Sequence, residues 1–430
     1  ALLSVENLSV GFLYKGKIKT AADNVSFEVK KGEIIGIVGE SGSGKTMTAL
    51  SVIGLLPQSA KILSGRINFL GKNLLAIEDK EFRRIRGSEI SMVFQDSMTS
   101  FNPLLTIGAQ VEEMLRLHSK YSKEEYKAIT IEALEEVGLS EPQEIYKKYP
   151  HQLSGGMRQR AMIAMAMITR PKLVIADEPT TALDVTTQSK ILGLLKKMNE
   201  KHGTGIILIS HDLRVIQSIC DRALVMKDGK IVEAGLTNKL FAHPDNEYTK
   251  QLLAAVPVPF SQNITRSNIN QNESIHNGFD SYDNMSETFK PGFSSHDKEA
   301  DNILTIKNLN VFYREKGMGL FAKRSRKQVI HDVTFSVKQG ETLGIVGESG
   351  SGKSTLAKAI VGLNKEIEGV IKISGDGKIN KFSMSRPQMV FQDPYGSLNP
   401  TKKIGWILEE PLRFQTNLSK KERLAKVNEI

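Results

Sequence analysis

Three short stretches of the chain are almost continuously apolar: EIIGIVG at Glu33–Gly39, KLVIADEP at Lys172–Pro179 and GIILISHD at Gly205–Asp212. Runs of this length, rich in β-branched residues and without polar alternation, predict parallel strands buried on both faces. Each ends in glycines or polar residues at its carboxyl end, where an open α/β sheet places its ligands. The first run passes through GESGSGKT (Gly39–Thr46) into TALSVIGLL (Thr48–Leu56), which predicts strand, glycine loop and helix in that order.

The same patterning returns later in the chain. LLSVENLSVGF at Leu2 reappears as ILTIKNLNVFY at Ile303, and DNVSFEVKKGEIIGIVGESGSGKT as HDVTFSVKQGETLGIVGESGSGKS, so Lys45 and Lys353 lie 353 − 45 = 308 residues apart. SMVFQDSMTSFNP matches QMVFQDPYGSLNP with glutamines 392 − 95 = 297 apart, and SKEE at Ser122 answers SKKE at Ser419 at the same offset. This is a tandem duplication. The stretch between the copies is rich in Asn, Ser and Asp, poor in aliphatics and without period, which predicts a flexible linker over residues 257–302. We therefore expect a complete first domain at 1–256 and a second at 303–430. At the 297-residue offset Ile430 corresponds to Ala133, so a second LSGG would fall near position 450 and only the front part of the second domain is expected here.

Composition narrows the class without deciding the function. With 430 residues, 40% hydrophobic and 25% charged, the chain reads as an ordinary globular protein with room for two cores. No apolar run approaches the roughly 18 residues that span a bilayer, and ALLSVENLSV lacks the segments of a secretory signal, so an intracellular, non-spanning protein is expected. Ala1 stands where an initiator methionine is usual, which we read as processing or cutting. The single cysteine, Cys220, excludes an internal disulfide, a four-cysteine zinc site and a four-cysteine iron–sulfur cluster, and is expected to pack. A formal charge of +10 suits nucleotides, nucleic acid or an anionic membrane surface and does not choose among them.

The candidate chemistry sits at the strand ends. Gly39, Gly42 and Gly44, with Ser41 and Ser43 between them, let the backbone curl so that N–H groups point inward at a helix start, a cradle for phosphates. Lys45 would reach the β- and γ-phosphates and Thr46 would hold Mg²⁺. Gly347, Ser349, Gly350, Ser351, Gly352, Lys353 and Ser354 repeat the device. In KLVIADEPTTALD, Asp177 is placed to bind the Mg²⁺ shell and Glu178 to polarise an attacking water. Adjacent acids are usually a solvated pair, and the buried run before them favours the catalytic assignment. His211 at the tip of another strand could meet the γ-phosphate, although a lone histidine is more often structural. Gln95 and Gln392 could touch the metal or its water; a loop hydrogen bond is the alternative.

Taken together, the glycine loop with its lysine, VFQD, LSGG at Leu153–Gly156, the acidic pair, TALD and SHD resemble the ABC ATPase family over nearly all of the chain except the linker. The resemblance implies an α/β P-loop NTPase of ABC ATPase type with a helical subdomain, tandemly duplicated, using ATP and Mg²⁺. It further implies that two domains dock head to tail, with each ATP between the lysine loop of one and the LSGG of the other. Ser154, Gly155 and Gly156 at a helix start would then offer donors to the γ-phosphate held opposite. Phe12 and Tyr313 fall where the family stacks adenine on an aromatic ring, with strand packing an equal alternative. Met157 departs from the family's usual glutamine and loses a polar contact near the ribose. SMTSFNPLLTIG, DPYGSLNPTKKIG, PHQLSGGMRQRAMIAMAM and LFAHPDNEYTKQLLAAVP look like the ATP-binding subunits of oligopeptide and dipeptide importers. That finer match implies a peripheral protein at the cytoplasmic face of the cell membrane, gripped by two permease subunits and served by an extracytoplasmic substrate-binding protein. Peptide, nickel chelate and glutathione all remain open as substrates. A regulatory ATP-binding module that does not hydrolyse is one rival, against which Glu178 and His211 argue; the other rival class is a soluble tandem ABC ATPase acting on ribosomes or nucleic acid. It would draw on the basic charge and on KRSRK at Lys323–Lys327, but the linker lacks the charged helix of ribosome-acting relatives, and the KRSRK run is expected to be a solvated loop.

Overall fold

The chain opens with two long antiparallel strands, β1 (Leu3–Tyr14) and β2 (Lys17–Val29), followed by β3 (Ile34–Val38), α1 (Lys45–Ile53), β4 (Ala60–Phe69), β5 (Lys72–Asn73), α2 (Asp79–Ile85) and β6 (Ile90–Val93). Four helices come next: α3 (Ile107–His118), α4 (Lys123–Glu136), α5 (Pro142–Lys147) and α6 (Gly155–Met167). Then β7 (Leu173–Asp177), α7 (Val185–His202), β8 (Gly205–Ser210), α8 (Leu213–Ile219), β9 (Arg222–Lys227), β10 (Lys230–Leu236), α9 (Thr237–Ala242) and α10 (Glu247–Ala254) complete the first of two units, Ala1–Glu273 and Ser274–Ile430. This computed structural model describes residues 1–14, 17–96, 100–181, 183–255, 302–315, 325–347, 350–373, 387–391 and 397–429.

The first unit holds two sheets. One is antiparallel, in the order β2-β1-β4-β5, and the other runs β10-β9-β3-β8-β7-β6 with parallel pairing from β9 to β6. The three apolar runs are β3, β7 and β8, adjacent at the centre and buried at every position. Alternate side chains explain why both faces had to be apolar. Ile35, Ile37, Ile175, Ile207 and Ile209 join one core with β1, β2, β4 and α1, whereas Ile34, Val38, Val174, Ala176 and Leu208 join another with helices α3 to α8. Helix starts follow from local capping: the Thr106 hydroxyl accepts from Ala109, Ser122 and Glu125 form a capping box on α4, and Ser154 and Asp184 cap α6 and α7. Cys220 is buried in the helical core, and burial pushes its thiol pKa up.

The second unit contains β11 (Asn302–Glu315), β12 (Ser325–Lys338), α11 (Lys353–Ile360), β13 (Ile367–Ile373), α12 (Ile404–Gln415) and α13 (Lys420–Glu429), with the antiparallel order β12-β11-β13. Its core is small, built on Ile306, Leu309, Val311, Ile330, Leu356 and Ala359. Two expectations need correction. Asn302, assigned to the linker, is the first residue of β11. Within the basic run, Lys323 and Arg324 lie outside the described residues, whereas Ser325, Arg326 and Lys327 belong to β12, where Arg326 pairs with Glu366 and Glu368. A further difference concerns the repeated apolar runs. Residues 341–347 and 387–391, counterparts of β3 and β6, form no strand, and Val346 and Val390 are 93% and 98% exposed. In the first unit β3 is hydrogen-bonded on both sides by β8 and β9, which come from more than 160 residues later; the described residues of the second unit bring no such neighbours. No helix among the described residues is long and apolar enough to cross a membrane.

Candidate nucleotide site

The loop joining β3 to α1 curls as the glycines predict. Gly44 precedes α1 at φ +98°, and a Cβ there would stand 2.3 Å from the Ala21 carbonyl oxygen, so no other residue fits. Lys45, 5% exposed, folds back along the loop and donates from Nζ to the carbonyls of Gly39 and Glu40, both at 2.8 Å. Burial pulls the Lys45 pKa down, against the raising effect of Glu178, Asp177 and Glu40. The Thr46 hydroxyl lies 3.3 Å from Asp177 Oδ1 and donates to it. Ser43 is buried, whereas Ser41 and Gly42 face outward in the same loop.

At the end of β7 the two acids part ways. Asp177 is 3% exposed, and burial drives its carboxyl from the ordinary 3.8 to about 6, with Thr46 and Lys45 opposing and Glu178 adding to the rise. Glu178 takes the left-handed conformation at φ 46°, which swings its side chain away from Asp177's. There it accepts from Gln95 Nε2 at 2.8 Å and from the Thr181 hydroxyl at 2.9 Å, and His211 Nδ1 lies 3.2 Å from its other oxygen. Burial alone would raise the Glu178 pKa, but Thr181, His211 and Lys45 outweigh it and hold the carboxyl below its usual value. The structure therefore brings Lys45, Thr46, Asp177, Glu178, Gln95 and His211 to the carboxyl ends of adjacent strands.

Other expected residues are placed less decisively. Ser154 caps α6 through a bond from the Met157 N–H, with Gly155 and Gly156 in its first turn. A Cβ on Gly156 would come within 2.7 Å of Thr187, so the close approach of α6 and α7 requires glycine there. Phe12 is half-buried on β1, paired with Lys19 and Ala60. In the second unit Gly352 repeats the φ of Gly44, Lys353 donates to the Gly347 carbonyl at 2.7 Å, and Gly350, Ser351 and Ser354 lie in the same segment. The Tyr313 hydroxyl is 3.4 Å from that of Thr355, beside the second loop. Ser349 and Gln392 lie outside the described residues. Two contributors were missed in the sequence. Thr181 stood in the quoted PTTALD run with nothing to mark its hydroxyl, and Tyr248, inside HPDNEYT, reaches the Glu40 N–H from 208 residues away.

The family model described as ABC transporter matches residues 22–181 and 330–428. The peptidoglycan transport ATP-binding protein YejF of Agrobacterium fabrum is 41% identical over 99% of this chain and 73% of its own length. The glutathione import ATP-binding protein GsiA of Salmonella choleraesuis is 40% identical over 96% of this chain and 67% of its own length. Among solved structures, the dimeric post-hydrolysis state of the ATP-binding cassette MJ0796 bound to ADP and Pi superposes with a TM-score of 0.50 and 32% identity, covering 55% of this chain and 98% of that one. The glycine loop, the acidic strand end and these matches lead to one assignment: the chain belongs to the ABC transporter family, as one of its ATP-binding and ATP-hydrolysing proteins.

Proposed function

We propose that this chain powers the import of peptides or peptide-derived compounds by hydrolysing ATP. The observation that carries the proposal is the gathering of Lys45, Thr46, Asp177, Glu178 and His211 at one glycine loop, in a chain whose relatives are named for peptidoglycan transport and glutathione import. Phosphoryl transfer asks for positioning and charge stabilisation more than covalent chemistry. Lys45 and the loop N–H groups would hold the phosphates. Glu178, kept ionised by Thr181 and His211, would accept a proton from the attacking water while Gln95 steadies it. Thr46 and Asp177 fit Mg²⁺: both offer hard oxygens, and the buried carboxylate of Asp177 is short of positive charge. When bound, the ion would neutralise phosphate oxygens.

We extend the proposal to the assembly. Residues 1–256 form a first ATPase domain, 257–301 a linker, and 302–430 belong to a second ATPase domain. Domains pair head to tail, so that Ser154, Gly155 and Gly156 face an ATP held on an opposite loop, with Phe12 and Tyr313 against adenine. The chain sits at the cytoplasmic face of the membrane on two permease subunits, which receive substrate from an extracytoplasmic binding protein. The test is direct. Replacing both Lys45 and Lys353 by Ala should abolish ATP binding in an equilibrium titration, and the tagged chain should co-purify with two membrane permease polypeptides. Retained ATP affinity would refute the nucleotide assignment, and absence of permeases from the purified complex would refute the importer.

A further inference from the structure

The peptide unit between Gly39 and Glu40 is held at both ends. Its carbonyl accepts from Lys45 Nζ at 2.8 Å, and its N–H donates to the Tyr248 hydroxyl at 3.1 Å. Tyr248 belongs to α10, the tail helix of the first unit, and is itself firmly held. It is 6% exposed, Lys227 Nζ stands 4.6 Å from its ring centroid, and its own N–H donates to the Asn246 side chain at 2.9 Å. Glu233 on β10 in turn accepts from the N–H groups of Asp245 and Asn246, at 2.9 and 3.3 Å, which pins the start of the helix to the sheet. Burial raises the phenol pKa, so the hydroxyl stays protonated at neutral pH.

A hydrogen bond at one end of an amide polarises its other end and strengthens the next bond in the chain. Here the next bond is the one that anchors Lys45. An ammonium has three donors; the carbonyls of Gly39 and Glu40 take two at 2.8 Å and orient the head of the lysine, while the third makes only a long contact with the Ser43 hydroxyl at 3.5 Å that a phosphate oxygen could replace. Without the Tyr248 oxygen the Glu40 N–H loses its partner, and rotation of this peptide would turn the Gly39 carbonyl away from Lys45.

Resting on the assignment of this loop as the phosphate site, we infer that Tyr248 is a positioning residue for Lys45, through which the tail helix sets the affinity of the first site for ATP. The residue lies in the last described helix of the first unit, so a displacement of α10 would be felt at the phosphate loop.

The experiment uses the full chain carrying Lys353→Ala, so that only the first loop reports, with and without Tyr248→Phe. Phenylalanine keeps the ring, its place in the core and the Lys227 contact, and removes only the oxygen; a pure packing role would leave ATP affinity in place. ATP is titrated at a temperature well below the unfolding midpoint of each protein. Loss of one ordinary hydrogen bond corresponds to a Kd about three- to tenfold higher, and that is the expected result. A rise of less than threefold, or tighter binding, overturns the positioning role while leaving the nucleotide assignment intact. Absence of ATP binding by the Lys353→Ala chain with Tyr248 in place would overturn both.

Discussion

Replacing Asp177 by Asn should stabilise the nucleotide-free protein at neutral pH, although it removes an acid from the centre of the site. The carboxyl is 3% exposed, and burial drives it from 3.8 to about 6. Because the folded value lies above the unfolded one, this group favours folding below about pH 4, and that contribution is lost as the pH rises through about 6. At pH 7.5 the folded state must hold a charge that its surroundings disfavour, at a cost of about 3 kcal/mol. Asparagine still accepts from the Thr46 hydroxyl and carries no charge. The gain should therefore be about 3 kcal/mol at pH 7.5, about 1.5 kcal/mol at pH 5 and under about 1 kcal/mol at pH 4. For a unit of this size that is roughly 6 to 12 °C in the midpoint of its thermal transition at pH 7.5. The assay is scanning calorimetry with chelator and without nucleotide, comparing the two proteins across this range. An unchanged or lower midpoint at pH 7.5, or a gain that does not shrink on acidification, would refute the reasoning.

Two other substitutions probe how the site is supported. Tyr146→Phe removes the hydroxyl that donates to the Glu112 carboxylate, which is 2% exposed and otherwise paired with Arg116; a loss of about 1.5 to 3 kcal/mol in urea unfolding is expected. Burial and Glu112 push the Tyr146 phenol to about 12, so the two proteins should still differ at pH 10 and converge as the pH rises through about 12. Gly36→Ala would place a Cβ 2.5 Å from Ile216 Cγ2 and 3.0 Å from Cys220 Sγ, on a strand hydrogen-bonded on both sides. A cost of about 1 to 3 kcal/mol is expected, and Ile216→Val in the same chain, which deletes the Cδ1 that would stand 2.9 Å from the new Cβ, should recover part of the lost thermal midpoint.

The features legible in the sequence were those whose cause is local. Continuous apolar runs become β3, β7 and β8 because both faces of each must be dry, and GESGSGKT curls because Gly44 needs a conformation closed to other residues. What could not be read depends on contacts between distant residues or on single backbone angles. The Thr181 hydroxyl meets Glu178 at a residue whose backbone stands at φ 46°, a conformation that no periodicity encodes. Tyr248 reaches Glu40 across 208 residues. The duplication was plain, yet closely similar runs met different fates: Ile34–Val38 is a buried strand and the matching run in the second unit is exposed, because a parallel strand is made by its neighbours.

That dependence on neighbours sets a timetable for synthesis. β3 is complete at residue 38, but the strands that flank it begin at residues 205 and 222. At about 5 to 20 residues per second, the ribosome needs roughly 8 to 35 s to deliver the first of them. The antiparallel strands β1, β2 and β4 are all finished by Phe69, so the face of β3 that carries Ile35 and Ile37 can be sheltered early. The face that carries Ile34 and Val38, and both hydrogen-bonding edges, must wait for the later strands. A nascent chain halted before residue 205 would present an apolar edge with unpaired backbone groups, the kind of surface on which chaperones and other nascent chains compete.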